Sequence, residues 1–176
     1  MAGHNKWSKI KHKKAATDSQ KSKVFGRIVR LIQVEAKKSG GNLDSPGLRL
    51  ALEKARKANM PSDNIDRAIK KGNEGGADMQ EVVFEAYGPG GVGMIITALT
   101  DNNNRTSQEI RHILTKNNGV FGTPGSVSWN FSKNQEREFI PNSTIPLNEE
   151  DGGKLERLIE AIEEQDDIQD IYTNAE

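Results

Sequence analysis

Residues 81–100 have the sequence EVVFEAYGPGGVGMIITALT, in which two runs of apolar residues flank a glycine-rich tetrapeptide. The runs 81–87 and 92–100 are rich in β-branched and aromatic residues, a composition typical of strands. Gly88-Pro89-Gly90-Gly91 between them is typical of a turn. Because so short a connection can join only antiparallel strands, we predict a β-hairpin at the start of the second half of the chain.

The residues after this hairpin predict further strands and two helices. Thr106 and Glu109 fit a capping box that opens a helix, and Asn148 is a suitable cap for a last helix. We expect extended structure at 126–131, 137–147 and 167–172. The resulting order, β-β-α-β-β-α-β, predicts an α+β class, and we expect a ferredoxin-like antiparallel α/β sandwich.

The residues before the hairpin predict three helices. Apolar residues recur at spacings of three and four through residues 24–32, 48–58 and 65–69, the period of one helix face. Gly40-Gly41 is expected to end the first helix, and Ser45-Pro46 to begin the second. A glycine-rich segment, 72–77, follows the third. We therefore predict a basic helical domain over residues 1–75 and an α+β domain over residues 76–176.

The composition limits the possible classes of protein. The 176 residues are 34% hydrophobic and 28% charged and include no cysteine, which excludes disulfides, thiolate metal sites and a cysteine nucleophile. No apolar run approaches the ~20 residues that span a bilayer. The basic N-terminus lacks the apolar segment of a secretory signal. We expect a cytoplasmic protein without a membrane partner.

A formal net charge of zero conceals a strong division of charge along the chain. Residues 1–71 hold 18 lysines and arginines and 6 acidic residues, a net charge of +12, whereas residues 72–176 hold 7 and 19, a net charge of −12. Such asymmetry indicates that the first half binds a polyanion. Attraction between the two halves is the alternative.

Catalytic motifs are absent from the sequence. The three histidines have no metal-ligand spacing, and no serine lies in a nucleophile elbow. The segment 88–93 lacks the Gly-Lys-Ser/Thr of a phosphate-binding loop. We therefore expect no enzyme activity, no cofactor, no metal and no small-molecule substrate. The segment 101–106, DNNNRT, has two interpretations: helix caps and turn residues, or amides and Arg105 that bind phosphate.

Several segments resemble the YebC family along essentially the whole chain. They are GHNKWS at 3–8, EAYGPGG at 85–91, DNNNRT at 101–106, GSV at 125–127 and the ending DDIQDIYTNAE at 166–176. The resemblance implies a helical N-terminal domain followed by α/β domains. It also implies a probable transcriptional regulator that binds DNA. Organellar relatives are described as translational activators, and bacterial members have been linked to stalled ribosomes.

One segment departs from the family pattern. Full-length members carry an additional α/β domain before the last helix, where this chain has only residues 132–148. These residues are too few for a domain of ordinary size. We expect the inserted third domain to be absent here, whereas the basic N-terminal domain and the GPGG and DNNNRT motifs are intact.

These observations predict a non-enzymatic, nucleic-acid-binding regulator, in the first instance a DNA-binding transcriptional regulator. The alternatives are a ribosome-associated translation factor that binds rRNA and relieves stalling, and a protein-interaction module. Trp7 would stack on a base or anchor the N-terminal segment. The predicted nucleic-acid-binding residues are Lys6, Trp7, Lys9, Lys11, Lys13, Lys14, Lys21, Lys23, Arg27, Arg30, Asn103 and Arg105.

Overall fold

A computed structural model of the chain describes residues 18–76 and 78–176. The described residues form two compact units, one ending at Gln80 and one over Glu81–Glu176. We call them the helical unit, residues 18–76 and 78–80, and the sheet unit, residues 81–176. The division between the units falls five residues after the predicted domain boundary at 75 and 76.

The helical unit contains three helices: α1 (Asp18–Ser39), α2 (Pro46–Lys57) and α3 (Ser62–Asn73). Their apolar faces enclose a core that includes Ile32, Leu48, Ala51, Ala55 and Ala68. After α1, Gly40 and Gly41 have φ values of 59° and 82°, a left-handed conformation that glycine adopts readily. Ser45 precedes Pro46 at the start of α2. The structure confirms the predicted three helices.

Helix α3 contacts α1 at Gly72, which is buried. A Cβ atom at this position would lie 2.5 Å from the backbone oxygen of Gln33 and 2.9 Å from Cβ of Ala36. The close contact therefore requires a residue without a side chain.

The sheet unit is built on a four-stranded sheet whose strands are β1 (Gln80–Tyr87), β2 (Gly93–Thr100), β3 (Val120–Phe121) and β6 (Ile168–Thr173). Their order is β3-β1-β2-β6. β3 pairs antiparallel with β1, and β6 pairs antiparallel with β2. Two helices, α4 (Asn103–Lys116) and α5 (Glu149–Glu163), contribute to the main core. Alternate residues of β2, including Met94, Ile96 and Ala98, belong to the same core.

A smaller apolar cluster includes Ile95, which lies between Met94 and Ile96 on β2. Ile95 is fully buried and packs with Val127 and Phe131. β4 (Phe131–Lys133) and β5 (Phe139–Pro141) form a two-stranded hairpin, and Phe139 lies 5.3 Å from Tyr172, measured between ring centroids. The hairpin occupies the segment in which the sequence predicts the loss of the family's inserted domain.

The predicted α+β class is confirmed, with a helical region followed by antiparallel strands and helices. The connectivity differs from that of a ferredoxin-like fold. Here β1 and β2 follow one another directly as a hairpin, whereas β-α-β-β-α-β places a helix after the first strand. The short turn at 88–92 leaves no room for such a helix.

Three local predictions are wrong in whole or in part. The composition of residues 126–131 predicts an extended segment, but Ser128–Asn130 form a 3₁₀ turn and only Phe131 begins a strand. The helix expected to open at Thr106 begins at Asn103, because the side chain of Asn102 caps it. The segment 137–147, for which the sequence predicts extended structure, is a strand only at Phe139–Pro141.

Among the described residues, no helix is long and apolar enough to cross a membrane.

The close contact at Gly72 predicts a large difference between two glycine-to-alanine substitutions. Gly72→Ala should lower the free energy of unfolding by about 1–3 kcal/mol, because the added methyl group overlaps backbone atoms of α1. Urea denaturation monitored by circular dichroism measures the change.

Gly26→Ala is the matched control, since Gly26 lies inside α1 with no atom near its Cβ position. It should raise stability by up to about 1 kcal/mol, the difference in helix propensity. Equal effects of the two substitutions would contradict the close contact of α3 with α1.

Candidate nucleic-acid interface

The predicted nucleic-acid-binding residues divide into three groups in the structure. Asn103 and Arg105 are in the sheet unit, and four residues lie on α1: Lys21, Lys23, Arg27 and Arg30. The remaining six lie outside the described residues: Lys6, Trp7, Lys9, Lys11, Lys13 and Lys14. Their role stays a prediction.

Three of the α1 cations form a stripe. Lys23, Arg27 and Arg30 are spaced by four and three residues, so their side chains project from one face of the helix. This face is opposite to the one that buries Ile28, Ile32 and Ala36 in the core. Lys21 is exposed on a different side of the helix. The stripe is therefore a row of positive charge on the side of α1 that faces away from this core, and its three side chains are half-buried.

Lys37, near the C-terminal end of α1, binds the segment that follows α3. The ammonium of Lys37 forms a salt bridge with Asp78 and donates a hydrogen bond to the carbonyl oxygen of Gly76 at 3.2 Å. The bridge lowers the pKa of the Asp78 carboxyl from its ordinary value, first through the hydrogen bond and then through the charge of Lys37. These contacts hold the segment after α3 against α1.

The DNNNRT motif begins with a helix cap. The side-chain oxygen of Asn102 accepts a hydrogen bond from the backbone N–H of Arg105 at 3.0 Å. Asn103 and Asn104 are exposed in the first turn of α4. The backbone N–H of Asn102 in turn donates to the hydroxyl of Thr100 at 2.9 Å. Part of the motif thus serves to begin a helix directly after β2.

Arg105 is held by two carboxylates. Its Nη2 lies 3.0 Å from Asp167 and 2.9 Å from Asp101. The hydrogen bond to Asp167, followed by the one to Asp101, raises the pKa of the guanidinium above its ordinary value. Because these two carboxylates neutralise its charge locally, Arg105 attracts a phosphate more weakly than an unpaired arginine would.

Asp167 also joins Arg105 to a buried hydroxyl pair. The hydroxyl of Thr106, which is fully buried, donates to Oδ2 of Asp167 at 2.8 Å and lies 2.8 Å from the hydroxyl of Thr100. Asp167 directly precedes β6, and its backbone oxygen accepts from Leu99. The network therefore ties the start of α4 to the ends of β2 and β6.

A second buried carboxylate was not among the predicted site residues. Glu85 is 9% exposed and accepts three backbone N–H bonds, from Gly125 and Val127 at 2.7 Å and from Ser128 at 2.8 Å. Burial raises the pKa of Glu85, but the N–H bonds outweigh it and hold the pKa below the ordinary value. The one sequence signal for this role is a glutamate placed between apolar strand residues.

Leucine side chains occupy the space beside the glycine-rich turn. A Cβ atom at Gly90, where φ is 74°, would lie 2.4 Å from Cδ2 of Leu147, and one at Gly88 would lie 3.2 Å from Cδ1 of Leu155. Gly88 and Val92 close the turn with a backbone hydrogen bond of 2.8 Å. The turn is thus packed against the start of α5, in agreement with the predicted hairpin.

Within residues 18–76 and 78–176, no three His, Asp or Glu side chains are arranged to hold a metal ion.

Fold and site together define a two-unit α+β protein whose helical unit carries a cationic stripe. Family models match nearly the whole chain. Residues 5–75 match the TACO1/YebC protein N-terminal domain, and residues 79–136 and 132–175 match the TACO1/YebC second and third domain. The chain belongs to the TACO1/YebC family.

Individual relatives agree with this assignment. A probable transcriptional regulatory protein of Fervidobacterium nodosum is 47% identical over 171 residues, which cover 96% of this chain and 68% of the relative. One from Thermotoga maritima is 37% identical over 238 residues, covering 100% of this chain and 94% of the relative. The crystal structure of a conserved hypothetical protein from Aquifex aeolicus is 33% identical, with a TM-score of 0.85, and the match covers 98% of this chain and 97% of that one.

The alignment with the Thermotoga maritima protein is longer than this chain, at 238 positions against 176 residues. The relative therefore has additional residues within the aligned span. The two segments matched by the second family model meet at residues 132–136, close to the β4–β5 hairpin.

The bonds to Glu85 predict a pH-dependent loss of stability in Glu85→Gln. At pH 7 the substitution should cost about 2 kcal/mol of unfolding free energy, because an amide cannot replace a carboxylate that accepts three N–H bonds. Since the pKa of Glu85 is lowered on folding, the stabilisation is fully present above the ordinary pKa of about 4.3. It is lost as the pH falls through the lower folded pKa.

Urea denaturation of both chains from pH 7 down to pH 3 measures this dependence. Glu81→Gln is the matched control, on the same strand but exposed, and should change stability little at any pH. A difference between Glu85→Gln and the unsubstituted chain that stays constant down to pH 3 would refute the role of the charge.

Proposed function

We propose that the chain is a non-enzymatic, nucleic-acid-binding regulator of gene expression that acts in the cytoplasm, in the first instance as a DNA-binding transcriptional regulator. The observation that carries this proposal is the concentration of positive charge in the first part of the chain, with 18 basic and 6 acidic residues over residues 1–71. The names of the relatives, which describe transcriptional regulation, agree with it.

The stripe on α1 has suitable dimensions for a phosphate backbone. Lys23 and Arg30 are seven residues apart, which corresponds to about 10 Å along a helix. This distance is about three phosphates of one strand, measured along the axis of duplex DNA. Contacts of this kind fix a protein on the duplex without reading its sequence.

Other polar motifs of the described chain have structural partners, which supports a non-enzymatic function. Glu85 is occupied by three backbone N–H groups, and Arg105 by two carboxylates. The glycine-rich turn contacts Leu147 and Leu155 where a phosphate loop would bind its ligand.

A ribosome-associated translation factor is the second candidate, because the same stripe suits the phosphates of structured RNA. Affinity capture of the full chain from a lysate, followed by DNase or RNase, separates the two candidates. Loss of ribosomal proteins after RNase alone would favour the translation factor and contradict DNA as the ligand.

The salt dependence of binding tests the predicted phosphate contacts. With six to eight contacts, the logarithm of the association constant for duplex DNA should fall with the logarithm of salt concentration at a slope of about −5 to −7. Replacing Lys11, Lys13 and Lys14 together with alanine should make that slope shallower by about 2–3. Fluorescence anisotropy of a labelled duplex measures both slopes.

A charge-matched control separates local contacts from net charge. Arg137, Lys154 and Arg157 lie in the sheet unit, and their joint replacement with alanine removes the same formal charge. This control should change the slope by less than about 1. Equal changes for the two triple variants would remove residues 11–14 from the interface.

The paired state of Arg105 predicts a different result for a substitution in the DNNNRT motif. Arg105→Gln should lower thermal stability, since it removes the partner of Asp101 and Asp167. It should leave the salt slope unchanged, because the guanidinium is already bound to carboxylates. A slope shallower by about 1, with unchanged stability, would instead indicate a phosphate contact.

A further inference from the structure

Helix α2 exposes a second basic surface in the helical unit. Its twelve residues include four basic residues and one acidic residue, Glu53, so the helix has a net charge of +3. Arg49, Arg56 and Lys57 are exposed. None of the three was among the predicted binding residues, and all of them lie on a helix whose other side is buried in the core.

Two arginines of α2 are free to bind a ligand. Arg49 and Arg56 are seven residues apart, nearly two helical turns, so they lie on the same side of the helix and about 10 Å apart along its axis. Among the described residues, the structure gives neither guanidinium a carboxylate or hydrogen-bond partner. Arg105, in contrast, is bound to two carboxylates. We call Arg49 and Arg56 the arginine pair.

The start of α2 is held by a buried carboxylate. Glu35 of α1 is 6% exposed, and a Cβ atom at Gly47 would overlap its carboxylate. The carboxylate therefore lies directly against the first turn of α2, where backbone N–H groups lack partners within the helix and attract negative charge.

The end of α2 is held by its backbone and by the core. The N–H groups of Asn59 and Met60 donate to the carbonyl oxygens of Arg56 and Ala55, each at 3.0 Å. Asn59 has a φ of 56°, as this type of helix ending requires, and Met60 is buried in the core. Because α2 is fixed at both ends, binding at the arginine pair requires little ordering of the backbone.

We propose that the arginine pair binds the phosphate backbone of a double-stranded nucleic acid. Phosphates of one strand follow each other every 3.4 Å along the axis of duplex DNA, so a separation of about 10 Å spans roughly three of them. Arginine donates two parallel N–H bonds to a phosphate. This inference rests on the proposed nucleic-acid-binding function and adds a contact surface on α2. DNA and RNA duplexes offer the same phosphates, so the experiment includes both.

The composition of the surface favours a polyanion over a protein partner. The centre of a protein interface is depleted in charged residues and enriched in aromatic residues and methionine. Helix α2 instead exposes charged side chains and has no exposed large apolar side chain. A phosphate backbone is complementary to such a surface.

Substitution of the arginine pair tests the contact. Duplex DNA and duplex RNA of the same sequence, each labelled, are titrated with the full chain by fluorescence anisotropy at salt concentrations from about 0.05 to 0.4 M. Arg49→Gln combined with Arg56→Gln should make the slope of log association constant against log salt shallower by about 2. If the slope changes for one duplex only, that nucleic acid is the source of the phosphates.

A matched control removes two positive charges from α3. Arg67 and Lys70 are exposed, but Arg67 donates to Asn64 at 2.6 Å and Lys70 lies 3.9 Å from Glu74. Arg67→Gln combined with Lys70→Gln should make the slope shallower by less than about 1. Circular dichroism checks that each variant is folded.

Glu53 provides a test that a folding defect cannot imitate. It is exposed, four residues after Arg49 and three before Arg56, so its charge should repel a phosphate bound there. Glu53→Gln should strengthen duplex binding about 2- to 5-fold. Glu149→Gln removes the same charge from an exposed position at the start of α5, and it should change the affinity by less than about 1.5-fold.

The failures are distinguishable. If the unsubstituted chain binds a duplex, but neither the arginine variant nor Glu53→Gln changes binding, α2 lies outside the interface and the proposed function stands. If the arginine variant and the α3 control change the slope equally, net charge explains the effect and the proposal is overturned. If the arginine variant changes the order of affinity among duplexes of different sequence, the arginines read bases, and the assignment to the backbone is wrong. If the unsubstituted chain binds neither duplex, the proposed function fails as well.

Discussion

The organisation of the sheet unit depends on the buried carboxylate of Glu85. A charge at this depth is tolerated because three backbone N–H groups surround it. These bonds tie the middle of β1 to the loop that follows β3. Val127 of that loop packs on Ile95, and Ser126 accepts from Tyr87 and Trp129. One side chain thereby fixes both an apolar cluster and the two exposed rings.

Asp167 has a comparable function at the other end of the sheet. Its side chain is 8% exposed and binds Arg105, and the buried hydroxyl of Thr106 donates to it. Polar residues of the DNNNRT motif therefore fix where α4 leaves β2 and where β6 begins. For Arg105 and Thr106, a structural explanation of the motif is sufficient, whereas the exposed Asn103 stays a predicted binding residue.

The parts of the fold that follow from local periodicity could be predicted from the sequence. The three basic helices, the hairpin at 88–91 and the last helix begin and end near the expected residues. The parts fixed by long-range polar contacts could not. Residues 126–131 have a strand-like composition, but the bonds from Glu85, forty residues away, hold their start in a turn. Likewise, Thr106 resembles a cap, while its hydroxyl is buried against Asp167. The division of charge between the two halves of the chain follows from the sequence alone.

The central claim is that the polyanion binds the chain mainly through its basic first part. Lysine footprinting of the full chain, with and without duplex DNA, tests it by comparing the acetylation rate of each lysine by mass spectrometry. The account predicts that DNA protects Lys11, Lys13, Lys14 and Lys23, while Lys154, which is paired with Glu150 in the sheet unit, keeps its rate. Protection confined to lysines after residue 81 would contradict it.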